Sequence, residues 1–107
     1  MASYDLPYLL FTELFGSFLF YSVILSVSSP IPIAVSLLAA IYFGGVISGG
    51  AFNPAVTLMM YMKDDISGYH ATAYIITQLI AAILALWWVS HTTKKGIFKK
   101  ASALTPF

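Results

Sequence analysis

The chain of 107 residues has no cysteine, no arginine and few charges of any kind, with only 8% of its residues Asp, Glu, Lys or Arg. Each shortage removes a class of function. Without cysteine there is no disulfide framework and no thiolate site for zinc. Without arginine no guanidinium fork exists to grip phosphates, and a net charge of +1 supplies no basic groove, so nucleic acid is not an expected partner. No nucleophile, base and orienting group can be named together, so neither an enzyme nor a cofactor is expected. His70 and His91 fall where a membrane would end, and their expected place is the interface rather than a metal site.

What the chain does have is apolar length. Hydrophobic residues make up 60% of it, and the charges gather at Asp5, at Lys63, Asp64 and Asp65, and at Lys94, Lys95, Lys99 and Lys100. Glu13 alone interrupts an apolar segment, and a carboxyl at that depth needs partners inside the protein. A hydrocarbon core of about 30 Å takes roughly 20 helical residues. Three stretches qualify as spans, 6–27, 33–47 and 69–89. Asp5 is placed to cap the first, with Pro7 in its first turn. That run lacks a basic leader and a small-residue cleavage site, so it is expected to stay as a spanning helix. The second is short and needs tilt or neighbouring residues to cross. Tyr69, Trp87 and Trp88 put amphipathic rings at the ends of the third.

Between the second and third spans lies "SGGAFNPAVT", residues 48–57. The residues 54–62 that end this region make about 14 Å of helix, half of a hydrocarbon core. Such a helix enters a bilayer without crossing it. A re-entrant loop and half-helix over 48–62 follow, with irregular backbone tolerated only if buried in protein or lining a water-filled cavity. Asn53 sits where an N-cap belongs and Pro54 at the first helical position, so the free N–H groups and positive dipole end point at the membrane centre. Gly45 and Gly49, with Ala81, Ala82 and Ala85, are expected to let helices pack closely, and Met59, Met60 and Met62 to pack the half-helix. The basic tail 94–107 is expected at the headgroups. The expected fold is an all-α membrane protein, with three transmembrane helices and one re-entrant half-helix in a single domain.

"ISGGAFNPAVTL" resembles the signature of the aquaporin and aquaglyceroporin family, the major intrinsic proteins, whose mark is Asn-Pro-Ala opening a half-membrane helix. "TELFGSFLFY" looks like that family's first helix and "YIITQLIAAILA" like its third. The resemblance implies that Glu13 and Gln78 support the re-entrant loop. It implies a passive channel for water or small neutral solutes, with Asn53, Pro54, Ala55, Gly49, Gly50, Ala51 and Phe52 along the passage. Ile33 matches the family's filter position on the second helix. Val56 stands where the arginine follows the family's second Asn-Pro-Ala.

Family members usually carry two such repeats in inverted orientation, and this sequence carries one. It reads as a half-aquaporin, which implies that two copies associate antiparallel in the lipid bilayer, with four pores from eight chains if the family's tetramer is kept. A filter of two Ile33 and two Val56 would be aliphatic, which makes glycerol a competitor to water. Three other readings follow. The chain pairs with a different half, it serves chiefly as a glycerol facilitator, or it is a non-conducting scaffold whose passage is closed by a bulky residue such as Phe52. Four lysines near the C-terminus against Lys63 alone favour one orientation, which sets the first of these against dual insertion.

Overall fold

The computed structural model describes residues 4–92, and every regular element among them is helical. In chain order these are α1 (Leu6–Ser26), α2 (Pro30–Ser48), α3 (Pro54–Met62) and α4 (Gly68–Thr92). The basic tail 94–107 lies outside the described residues.

Local chemistry accounts for the boundaries. Asp5 occupies the cap position of α1, yet only its carbonyl is used, accepting the Tyr8 and Leu9 N–H groups at 3.0 and 3.1 Å. Its carboxylate makes no capping bond. Helix α2 starts at Pro30, ahead of the stretch 33–47 that apolar composition marks out, because Pro30 and Pro32 both fit a first turn whose N–H groups have no intrahelical partner anyway. It ends at Gly49, which takes the left-handed conformation with φ 90° and returns its N–H to Gly45. Ser67 caps α4, its hydroxyl accepting the His70 N–H and its carbonyl the Ala71 N–H. The far end of α4 passes residue 89 because Ser90 and Thr92 donate back to the carbonyls of Trp87 and Trp88.

Helices α1, α2 and α4 are each long and apolar enough to cross a membrane. Their outward faces carry large exposed apolar side chains, among them Phe11 and Phe15 on α1, Leu38 and Val46 on α2, and Ile83 and Leu86 on α4. The interior mixes apolar residues such as Leu9, Phe52 and Tyr74 with polar ones. Glu13, Ser17, Ser48, Thr57 and Gln78 are completely buried. Large apolar side chains on the outside, with hydrogen-bonding groups kept inside, suit a protein whose solvent is hydrocarbon, and the chain is an integral membrane protein. Helix α1 packs against both α2 and α4, and α3 lies on α4. The fully buried Ala81 and Ala85 keep the inner face of α4 slim between Gln78 and Val89.

The glycine spacing works differently from its expectation. Gly44, rather than Gly45, is the one pressed by a neighbouring side chain. A Cβ on Gly44 would stand 2.7 Å from the Phe52 ring, whereas one on Gly45 would meet nothing closer than Ile41 at 3.7 Å. Gly45 instead receives the loop, since a Cβ on Gly50 would come within 3.3 Å of its Cα.

Candidate functional site

Depth is set by α1. Glu13 lies about 11 Å and Tyr21 about 23 Å along a helix about 32 Å long, and both hold the loop between α2 and α3. The start of α3 is therefore at mid-span, and its nine residues return to the end where α4 begins. It enters and does not cross.

Glu13 organises the loop. Its Oε2 accepts the Ser48 hydroxyl at 2.6 Å and the Ala51 N–H at 3.2 Å, and its Oε1 accepts the Phe52 N–H at 2.8 Å and the Gln78 amide at 3.0 Å. Four donors thus converge on a residue that offers acceptors, and the Ala51 and Phe52 amides are satisfied without water. Gln78 Nε2 also donates to Thr57 Oγ1 at 2.7 Å, and Thr57 Oγ1 donates to the Asn53 carbonyl at 3.0 Å. One buried network therefore ties α1, α2, α3 and α4 to the turn before Asn53.

Two phenols complete it. Tyr74 donates to the Ser48 carbonyl at 2.7 Å, and Tyr21 donates to the Phe52 carbonyl at 2.8 Å. Sequence reasoning missed Tyr21, Tyr74, Ser48 and Thr57. The only available signal was that a polar tip on a buried tyrosine needs a partner.

Asn53 is held by its own cap. Its backbone is extended, and its Oδ1 accepts the Ala55 N–H at 2.8 Å. That bond uses the carbonyl end of the side chain and leaves Nδ2, with two N–H donors, on an exposed residue. Ala55 and Gly49 are exposed beside it, while Gly50, Pro54, Val56 and Ile33 are half-buried. Among the described residues no donor meets the carbonyls of Gly49, Gly50 or Ala51.

The side chains of Ala51 and Phe52 point into the protein, the residues being 4% and 1% exposed. Phe52 adopts φ 50°, and its ring fills a cradle between α1 and α2. A Cβ on Gly16 would stand 2.2 Å from that ring. The side chain thus anchors the loop between α1 and α2. Its carbonyl already accepts from Tyr21.

The sequence profile of the family described as Major intrinsic protein matches residues 22–106. The chain is 34% identical to Aquaporin-5 of Rattus norvegicus over 76 residues, which is 68% of this chain and 28% of that protein. It is 53% identical to the Glycerol uptake facilitator protein-like 6 of Lactiplantibacillus plantarum over 47 residues, or 44% of this chain and 21% of that protein. With Aquaporin Z of Photorhabdus laumondii it shares 43% identity over 51 residues, covering 48% and 22%. The matched stretches span well under a third of each of these relatives. No solved structure matches the chain significantly. A half-length helix opened by Asn-Pro-Ala at mid-span, a buried glutamate holding the loop before it, and a family profile covering most of the residues agree, and the chain belongs to the major intrinsic protein family.

Proposed function

We propose that the chain forms a passive channel for water and other small neutral solutes, built when two repeats associate in opposite orientations so that two Asn53 side chains meet at mid-membrane. The observation that carries this reading is Asn53 itself. Its amide donor is exposed in the middle of a span, where an unpartnered polar group would cost several kcal/mol against lipid. A second repeat related by a twofold axis in the membrane plane covers that region and leaves the donors facing an aqueous thread.

Transport then needs no covalent step. A water oxygen accepts from Asn53 Nδ2 while its hydrogens reach the open carbonyls of Gly49, Gly50 and Ala51. Opposed positive ends of two α3 helices raise the energy of any cation at the same point, so neutral solutes pass and protons do not. Ile33 and Val56 supply apolar wall, and their small size admits polyols as well as water. The second repeat comes from another copy of this chain.

Stopped-flow shrinkage of vesicles holding the pure protein tests the proposal. Water permeability well above that of empty vesicles, lost in Asn53→Ala, is expected. Permeability equal to that of empty vesicles would overturn the homomeric channel, and recovery on adding a different half-repeat would favour the heteromeric one.

A further inference from the structure

Two tyrosines bracket the loop before Asn53. Tyr74 from α4 closes the Ser48 carbonyl at its start, and Tyr21 from α1 closes the Phe52 carbonyl at its end. Between them the carbonyls of Gly49, Gly50 and Ala51 meet no donor among the described residues. The acceptor strip therefore has two ends, and each is set by a phenol.

The two phenols differ in place. Tyr74 is completely buried, with the fully buried Ser48 beneath it. Tyr21 is half-buried, and it acts on the peptide that joins Phe52 to the exposed Asn53. Phe52 is gripped from α1 at three points, its N–H by Glu13, its carbonyl by Tyr21 and its ring by the space at Gly16. The Phe52 carbonyl and the Asn53 N–H share one rigid peptide plane. Holding the carbonyl therefore also fixes the direction in which the chain enters the Asn53 cap.

We infer that Tyr21 is a positioning residue that sets solute selectivity, because it withholds from solute the carbonyl at the foot of Asn53. This rests on the channel reading. A polyol leaving water needs a partner for each hydroxyl it brings, so it gains more than water does from one further acceptor in the strip. Removing the phenol oxygen leaves the Phe52 carbonyl, one bond from the Asn53 backbone, without its donor and so ready to accept from a solute hydroxyl. Tyr21 thus shortens the strip and favours water over larger hydroxylated solutes.

Tyr21→Phe tests this, with Tyr74→Phe as the internal comparison. In vesicles, the ratio of glycerol to water permeability is expected to rise about threefold in Tyr21→Phe and clearly less in Tyr74→Phe, whose freed Ser48 carbonyl lies at the end of the strip away from the Asn53 donor. Hydrogen exchange across residues 49–55 is expected to quicken about fivefold in Tyr21→Phe, the scale of one lost hydrogen bond. An unchanged ratio in a conducting Tyr21→Phe channel would overturn the inference, as would an equal rise in both variants, which marks general loosening. Absence of flux in the wild type would instead be the failure of the channel reading. Exchange would still decide there, since an unaltered rate in Tyr21→Phe means that the phenol does not hold the Phe52 carbonyl.

Discussion

Four donors on two oxygens make Glu13 intolerant of its own amide. Glu13→Gln turns one acceptor into a donor facing donors, and at least one buried N–H or hydroxyl loses its partner, which costs about 1–3 kcal/mol. The expected outcome is a melting temperature in detergent micelles several degrees below wild type; an unshifted one would mean the network is not what holds the loop. The Phe52 cradle gives a steric counterpart. Gly16→Ala puts a methyl carbon where the ring already is, and the strain should cost about 1–3 kcal/mol. Shortening the ring in Gly16→Ala/Phe52→Leu should recover part of that loss in the same measurement. No recovery would place the damage elsewhere on α1. These residues differ in how visible they were beforehand. A lone carboxyl in an apolar span demands partners, so the importance of Glu13 could be read without knowing them. Gly16, Gly44 and Tyr21 carried no such demand, since glycine and tyrosine are common in apolar helices and their meaning depends on where the Phe52 ring and carbonyl go.

At the scale of elements, α3 is the least self-sufficient. Nine residues are too few to be stable alone, so its start depends on the Asn53 cap and its seat on α4. The cap and the proposed solute donor are opposite ends of one side chain, which makes them separable. Asn53→Ser keeps a capping oxygen and should melt within about 0.5 kcal/mol of wild type, whereas Asn53→Ala should lose about 1 kcal/mol. Both remove the long amide donor, so both should lower water permeability. If Asn53→Ser conducts like wild type, the amide is only a cap. Helix bounds were legible where local chemistry decides them. The start of α3 followed from Asn-Pro, because cap and first-turn preferences act over a few residues. The start of α2 and the end of α4 were misplaced by composition alone. Pro30 and Pro32 fall before the apolar stretch 33–47 yet fit a first turn, and Ser90, His91 and Thr92 fall beyond residue 89 yet return hydrogen bonds to the last turn of the helix.

For the whole molecule, the question is orientation. The turn before Pro30 and the turn holding Lys63, Asp64 and Asp65 lie at opposite ends of the spans, and the absence of native cysteine makes both clean labelling sites. Antiparallel association predicts that Ser29→Cys and Asp64→Cys each react with an impermeant thiol reagent from both sides of sealed vesicles, in comparable fractions. Reaction of each from one side only would exclude pairing of oppositely inserted copies. Orientation was the least legible property, because it is set by weak charge asymmetry rather than by contacts within one repeat. The Phe52 cradle also has a consequence for biogenesis. The groups that grip Phe52, namely Glu13, Gly16, Tyr21 and Gly44, all belong to α1 and α2, which are synthesised before the loop itself. Tyr74 and Gln78, which lock Ser48 and Thr57, arrive with α4. A nascent chain halted at residue 67 already holds everything needed to seat the ring, so the receptor for the loop waits in the membrane and the final helix acts as a bolt drawn after the door has closed.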